Sequence, residues 1–304
     1  MKTRQLAVLS GKGGTGKTSL VASLAALAGR AVVVDCDVDA ANLALLMPGS
    51  DGPTESFYAG RRARILEERC AACGRCTEVC RFGALTFQGS RLVVDRLACE
   101  GCGACAHACP NAAVAYDDNL AGDWWVRPVA EGLLVHARLG IAQDNSGKLV
   151  ASLRKTGREL AERDGYELVL VDGPPGIGCP VHAALSGVDA LLVVTEPTVA
   201  AEHDLRRIVG LAARFEVPTG VVINKHDLVP GACERLERSC AELKVPILGR
   251  IPFDPLVPER ASRGRPALAA SAGTAEALAD VWSRAQEKLL SGEPNGSNPH
   301  LTGA

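Results

Sequence analysis

A glycine-rich loop between an apolar run and a helix-period segment constrains the fold of this chain most strongly. The loop, GKGGTGKT at residues 11–18, follows the strand-like run LAVLS at 6–10 and precedes a segment with helically spaced leucines at 17–28. Glycines let successive backbone N–H groups turn toward one anion, and the N-terminus of the following helix adds positive potential there. The pattern therefore predicts that a nucleoside triphosphate binds where a buried strand ends. The residues expected to bind it are Gly11, Gly13, Gly14, Thr15, Gly16, Lys17, Thr18 and Ser19.

Two side chains of the loop have further predicted roles. Lys17 is expected to reach the β- and γ-phosphates and to act in catalysis, and the Thr18 hydroxyl is expected to ligate Mg²⁺. Lys12 is different, because the phosphate cradle does not need it and an ammonium group is costly to leave unpaired near another one. The loop therefore contains one more lysine than phosphate binding requires.

Short β-branched runs alternate with helix-period segments along most of the chain. The predicted strands are residues 6–10, 31–35, 167–172, 189–195, 220–224 and 246–251. The predicted helices are residues 17–28, 147–163, 181–186, 200–214, 231–243 and 274–290. This alternation predicts an α/β fold with a mostly parallel, doubly wound sheet that helices cover on both faces.

The alternation fails once, between about residues 48 and 146, where the sequence becomes rich in Arg, Gly and Cys. We therefore expect an inserted domain after the second strand. The expected division is an α/β domain at 1–60 and 117–290 with a β-like region at about 117–146, an inserted domain at 61–116, and a disordered polar tail at 291–304.

Eight of the twelve cysteines form two copies of C-x₂-C-x₂-C-x₃-C between residues 70 and 109. The segment resembles the two-cluster bacterial ferredoxins, in which the fourth cysteine of each copy ligates the other [4Fe–4S] cluster. The resemblance implies that Cys70, Cys73, Cys76 and Cys109 hold one cluster and that Cys99, Cys102, Cys105 and Cys80 hold the second. A zinc site is the alternative. Arg81 stands where the motif usually has proline, which puts the local turn in doubt.

The loop GKGGTGKT, together with VVVDCDVDAANLALL, LVLVDGPPGIGCP and VVINKHD, resembles the MinD/ParA/nitrogenase-iron-protein group of P-loop ATPases. This resemblance implies a dimer with ATP and Mg²⁺ sandwiched between subunits, in which Lys12 crosses to the partner's phosphates. It also implies that Asp37 orients the attacking water, with Asp39 as the alternative. Asp172 is implied to hold Mg²⁺ and Asn224 to bind adenine. The N-K-x-D string also resembles guanine recognition, so Asp227 leaves GTP open.

Three functions follow from the two resemblances. The main prediction is a dimeric ATPase that couples nucleotide state to electron transfer between its clusters and a redox donor or acceptor protein. The dimer is expected to be a homodimer or a heterodimer with a paralogous ATPase. The alternatives are an ATPase that assembles or carries iron–sulfur clusters, and a positioning ATPase like MinD or ParA. Cys179 lies near the position of a cluster cysteine in the nitrogenase iron protein, but no clear second cysteine accompanies it.

Composition excludes other classes of partner. The net charge is −2 and no basic stripe is evident, so we expect no nucleic-acid partner. The apolar runs are too short to cross a bilayer and no basic amphipathic anchor ends the last helix, so we expect no membrane anchor and a cytoplasmic protein.

Overall fold

The computed structural model describes residues 3–140, 146–229 and 231–291. The predicted tail lies outside the described residues beyond Ser291. The strands are β1 Arg4–Ser10, β2 Ala31–Asp35, β3 Glu55–Ile65, β4 Leu85–Gln88, β5 Arg91–Val94, β6 Val114–Val129, β7 Gly132–Leu139, β8 Leu168–Pro175, β9 Ala190–Thr195, β10 Thr219–Asn224 and β11 Ile247–Ile251. The helices are α1 Lys17–Ala28, α2 Leu43–Leu46, α3 Arg75–Val79, α4 Ala104–Ala108, α5 Ser146–Asp164, α6 Cys179–Leu185, α7 Val199–Arg214, α8 Ala232–Glu242, α9 Leu256–Ser262 and α10 Ala272–Ala285.

The chain divides into two compact units. The first unit comprises the chain up to Thr54, the segment Trp124–Arg138 and the chain from Ser146 onward. Within the described residues, the second unit comprises Glu55–Asp123 and residues 139–140, and it includes the predicted insertion. Strand β6 begins in the second unit and ends in the first.

The first unit is built on a parallel sheet with the strand order β11-β10-β9-β1-β8-β2-β7. Every register recorded between these neighbours is parallel. The central strands are apolar throughout, as β2 illustrates with AVVVD, whose five residues are all buried. Strands covered on both faces need such continuous apolar runs. The predicted α/β fold with a mostly parallel sheet is therefore confirmed.

The candidate site lies at the edge of this sheet where the parallel strands end. In parallel strands the carboxyl ends of β1, β2, β8 and β10 meet along one edge, and the segments that follow them supply the site. Helix α1 packs its apolar side into the core beneath that edge, together with α10. The loop between β1 and α1 is thereby held at both ends by buried elements.

The second unit has a much smaller core. Strands β3 and β6 are neighbours in it, and β4 and β5 form an antiparallel pair. Its buried core residues are Ala63, Cys76, Ala84, Leu85, Leu92, Cys99 and Cys105. Three of these seven residues are cysteines of the repeated motif, so thiols occupy positions that apolar side chains would normally fill.

Candidate functional sites

The phosphate loop, residues 11–18, has the backbone that its glycines predict. Gly14 and Gly16 adopt left-handed φ angles of 81° and 89°. A Cβ on Gly16 would stand 2.3 Å from Asn224 Nδ2, so a side chain there would collide with the end of β10. Helix α1 begins at Lys17, directly after Gly16. The loop therefore turns its backbone at the N-terminus of a helix, as anion binding requires.

Lys17 lies at the centre of a buried group of carboxylates. Its ammonium is 2.5 Å from Asp172 Oδ1 and 3.8 Å from Asp37 Oδ2. The Lys17 side chain is only 6% exposed and Asp172 is fully buried. Burial by itself lowers the pKa of Lys17, but Asp172, Asp37 and Asp35 outweigh it and leave the pKa raised. The structure thus brings together three of the residues predicted from sequence: Lys17, Asp37 and Asp172.

Asp35, to which sequence reasoning gave no role, organises the loop that bears Asp37. Its two carboxyl oxygens accept hydrogen bonds from the backbone N–H groups of Asp37 and Leu43, both at 3.1 Å. Burial and the nearby Asp172 raise the pKa of Asp35 to about 8. The repeated D-x-D-x-D spacing that begins at the last residue of β2 is the sequence signal for it.

Lys12 and Lys225 share one carboxylate that the sequence did not single out. The Glu196 carboxylate forms ion pairs with both lysines. Its Oε1 lies 2.6 Å from Lys12 Nζ, and its Oε2 lies 3.2 Å from Lys225 Nζ. Lys225 also donates to the carbonyl of Gly14 at 3.0 Å. Burial tends to raise the pKa of Glu196, but the two lysines lower it overall. Lys12 is thus paired within its own chain, and its predicted reach across an interface stays a prediction.

The N-K-x-D string at the end of β10 is used to support the loops around the site. Asn224 donates from Nδ2 to the carbonyl of Thr15 at 2.7 Å. Asp227 accepts from the backbone N–H of Phe253 at 2.7 Å and so holds the turn after β11. Asn224 lines the cavity described next, and its predicted contact with adenine stays a prediction.

A cavity of about 820 Å³ opens beside the phosphate loop. Its polar lining includes Lys17, Thr18, Asp37, Asp39 and Asn224. Its apolar lining includes Leu45, Leu46, Pro252, Phe253, Val257 and Leu278. A cavity of this size, lined by both polar and apolar groups, suits a nucleotide.

The donor atoms beside this cavity fit Mg²⁺. Asp172 Oδ2 is buried and has no hydrogen-bond partner among the described residues. Such an atom is costly to bury unless a cation or an ordered water satisfies it. Asp172, with the Thr18 hydroxyl that lines the same cavity, would hold the ion near the phosphates.

The eight motif cysteines line two small cavities in the second unit. Cysteine site A is the cavity lined by Cys80, Cys99, Cys102 and Cys105. Cysteine site B is the cavity lined by Cys70, Cys73, Cys76 and Cys109. Each site therefore combines three cysteines of one copy with the fourth cysteine of the other copy.

The two copies repeat one backbone conformation. Left-handed φ angles occur at matched positions, which are Ala72 and Gly101, Gly74 and Gly103, and Gly83 and Ala112. The strained alanines among them stand where L-residues seldom adopt such angles. The turn after the fourth cysteine is also alike, because Gly83 N–H bonds the Cys80 carbonyl and Ala112 N–H bonds the Cys109 carbonyl, both at 3.3 Å. Arg81 therefore replaces proline without changing the turn.

Hydrogen-bond donors already point at individual sulfurs. Cys99 Sγ accepts from the Ala63 N–H at 3.4 Å, and Cys109 Sγ accepts from the Ala113 N–H at 3.3 Å. All twelve cysteines are free thiols. In residues 3–140, 146–229 and 231–291, no three His, Cys, Asp or Glu side chains are grouped closely enough to hold a single metal ion. The ligand sets predicted for [4Fe–4S] clusters thus stay a prediction.

The remaining observations concern Cys179 and the length and apolar character of the helices. Cys179 is exposed and is the first residue of α6. In the described part of the chain, no helix combines the length and apolar character needed to cross a membrane.

The chain matches the family model described as the CobQ/CobB/MinD/ParA nucleotide binding domain over residues 6–267. It is 34% identical over 227 residues to an uncharacterized protein of Methanocaldococcus jannaschii, which covers 73% of this chain and 78% of the relative. It is 25% identical over 271 residues to the septum site-determining protein MinD of Bacillus subtilis, which covers 86% of this chain and 80% of the relative.

Further similarities concern a partial relative and a solved structure. An iron-sulfur cluster carrier protein of Methanococcus maripaludis is 28% identical over 136 residues, or 40% of this chain and 47% of the relative. The septum site-determining protein MinD of Pyrococcus horikoshii, solved with Mg-ADP, is similar in structure with a TM-score of 0.58 at 19% identity, covering 95% of this chain and 98% of that one. Electron transfer draws no support from these names.

Proposed function

The chain belongs to the CobQ/CobB/MinD/ParA nucleotide-binding domain family, and we propose that its first unit binds Mg²⁺–ATP and hydrolyses it. The observation that carries this proposal is the buried contact of Lys17 with Asp172 and Asp37, beside the cavity that Lys17 and Asp37 line. A cation surrounded by carboxylates at a helix N-terminus can exchange those carboxylates for phosphate oxygens when a nucleotide and its metal enter.

Each side chain then has a distinct task in hydrolysis. Water attacks the γ-phosphorus, the bond to the oxygen that bridges the β- and γ-phosphates breaks, and ADP and phosphate are released. Lys17 neutralises charge on the transferred group, Asp37 accepts a hydrogen bond from the attacking water, and Asp172 with Thr18 holds the metal. Asp35 positions Asp37 by accepting a hydrogen bond from the backbone N–H of Asp37.

Lys12 supplies the step that requires a second subunit. Its ammonium adds positive charge to the partner's phosphates in a dimer, which is the part that an arginine finger plays in other phosphoryl-transfer enzymes. The dimer is either a homodimer or a heterodimer with a paralogous ATPase. In the isolated chain Glu196 neutralises Lys12. When the dimer forms, Lys12 therefore has to exchange the Glu196 carboxylate for the phosphates of the partner subunit.

A direct experiment separates binding from hydrolysis. Nucleotide affinity is measured by calorimetry with Mg²⁺–ATP and Mg²⁺–GTP, and phosphate release is measured on the same samples. We expect ATP to bind more tightly and Asp37→Asn to retain binding while losing at least about 100-fold in turnover. Equal turnover of Asp37→Asn and the unmodified protein would contradict the role of Asp37, and the matched Asp39→Asn variant tests the alternative residue.

We further propose that the second unit holds two [4Fe–4S] clusters, one at cysteine site A and one at cysteine site B. The sorting of eight thiols into two sets of four supports this proposal, as does the duplicated backbone. A cubane has its four ligands at separate corners, so its thiols lie farther apart than the ligands of a single ion. The buried cluster of this unit is small and includes three of the motif cysteines, so metal ligation would add to the stability that apolar burial provides.

The function that joins both units is coupling of nucleotide state to electron transfer from the clusters to a redox partner. The clusters supply one-electron chemistry when bound, and the chain supplies their ligands and surroundings. The names of the relatives instead favour two alternatives, which are positioning in the manner of MinD and carriage of iron–sulfur clusters. Four thiols per site favour retention of clusters over their transfer, which argues against carriage.

The cluster proposal is tested on protein purified without oxygen. We expect about eight iron and eight sulfide ions per chain and the low-temperature EPR signals of reduced [4Fe–4S] clusters. Zinc in place of iron would overturn the proposal. Incubation with a cluster-free acceptor then separates the alternatives, because a carrier loses its iron to the acceptor and an electron-transfer protein keeps it.

A further inference from the structure

The two copies of the cysteine motif carry different aromatic residues at one matched position. Tyr116 stands seven residues after Cys109, and Phe87 stands seven residues after Cys80. The Tyr116 ring lines cysteine site A, and its hydroxyl oxygen lies 3.7 Å from Cys105 Sγ. The copies therefore differ by one hydroxyl group next to a motif sulfur.

Phe87 occupies the corresponding place in the other copy. Its ring atom Cε2 lies 3.8 Å from the point where a Cβ on Gly74 would stand, and Gly74 lies between Cys73 and Cys76 of site B. A phenyl ring has no group that donates to a thiolate. The difference between Tyr116 and Phe87 is thus a difference in hydrogen bonding at equivalent places.

The backbone donors to motif sulfurs are alike at the two sites. Within residues 3–140, 146–229 and 231–291, each site has one backbone N–H bonded to a motif sulfur, from Ala63 at site A and from Ala113 at site B. Cationic side chains line each site or contact its residues, and site A also has one carboxylate. These are Arg61, Arg62 and Glu100 at site A, and Arg75 at site B. Among the described residues, the Tyr116 hydroxyl is the side-chain donor next to a motif sulfur at site A, whereas Arg62 donates to the carbonyl of Cys99.

We propose that Tyr116 makes the cluster at cysteine site A the easier of the two to reduce. The proposal rests on the cluster function proposed above. Reduction adds one electron and one negative charge, and a hydrogen bond donated to a ligand sulfur stabilises the added charge. A typical net hydrogen bond changes an equilibrium constant about five-fold, which for one electron is about 40 mV. The first electron accepted from a reductant such as dithionite therefore resides at site A.

Redox titration of three proteins tests this assignment. The unmodified protein, Tyr116→Phe and Phe87→Tyr are titrated with dithionite without oxygen, and EPR follows the reduced clusters. We expect two one-electron steps in the unmodified protein. Tyr116→Phe should move the higher-potential step toward the lower one by about 40 mV, or five-fold. Phe87→Tyr should raise the lower-potential step and leave the higher one in place.

Iron and sulfide are assayed first in every sample, which separates failure of this inference from failure of the cluster proposal. Absence of clusters from the unmodified protein overturns both. Two outcomes with clusters in normal amount overturn only the role of Tyr116. In the first, the two reduction steps of the unmodified protein coincide. In the second, Tyr116→Phe leaves both reduction steps unmoved. If Tyr116→Phe loses its clusters, Phe87→Tyr decides: a raised lower step supports hydroxyl tuning, and an unmoved one overturns it.

Discussion

Removing the ammonium group of Lys17 should destabilise the first unit strongly. Its partner Asp172 is fully buried at 2.5 Å, and Lys17 itself is 6% exposed. Lys17→Met keeps much of the aliphatic stem and leaves the Asp172 carboxylate buried without its cation. Breaking a buried pair on one side costs about 3–5 kcal/mol. At about 2–4 °C per kcal/mol for a unit of this size, the melting temperature should fall by roughly 10 °C.

The assay is thermal unfolding followed by circular dichroism, without added nucleotide. Lys225→Met is the matched control, because Lys225 is 28% exposed and its pair with Glu196 should contribute only about 0–1 kcal/mol. The double variant Lys17→Met/Asp172→Asn removes the stranded charge and should recover part of the loss. A Lys17→Met protein that melts within about 2 °C of the unmodified one has lost less than about 1 kcal/mol of stability. That result would contradict a buried Asp172 carboxylate that depends on Lys17.

Four other substitutions test separate parts of the account. Lys12→Ala should bind Mg²⁺–ATP normally and lose hydrolysis, and unchanged phosphate release would remove its role across the interface. Glu196→Gln should strengthen ATP-dependent dimerisation by up to about five-fold in sedimentation, because it frees Lys12 from a pair worth about 0–1 kcal/mol; weaker dimerisation would contradict this. Burial and Asp172 raise the pKa of Asp35 to about 8, so the folded state binds a proton that the unfolded chain releases near pH 4. The contribution of Asp35 to stability therefore falls as pH rises from about 4 to 8. Asp35→Asn should weaken the pH dependence of the unfolding free energy, measured with urea, across that range. An equally steep decline in the variant would contradict this prediction. Asp227→Ala should leave the preference for ATP over GTP unchanged in competition binding, since that carboxylate holds the Phe253 N–H, and a changed preference would restore the guanine interpretation.

Most of the parallel sheet could be predicted because its strands are buried on both faces. The run AVVVD predicted a strand at 31–35, and β2 occupies those residues. Strand β3, ESFYAGRRARI, was missed because four of its eleven residues are charged and six are exposed, so its sequence resembles a loop. Helix α2 was missed because four residues show no helical period. Patterns of hydrophobicity identify only elements with enough buried length.

The candidate site shows the same division between local and tertiary information. Lys17, Asp37 and Asp172 belong to motifs that can be identified in the sequence from their spacing and their positions at strand ends. Glu196 belongs to no motif, and its importance arises only because β9 neighbours β1 and brings it to Lys12. A pairing made by strand order cannot be deduced from spacing along the chain.

The most direct test is whether nucleotide changes the reduction potential of the proposed clusters. Oxygen-free protein is titrated with a non-hydrolysable ATP analogue, with ADP and without nucleotide, and calorimetry confirms binding in the same samples. A coupling of about 1–3 kcal/mol predicts a shift of about 40–130 mV for one electron. Identical potentials in all three samples, with nucleotide demonstrably bound, would contradict the coupling of the two units.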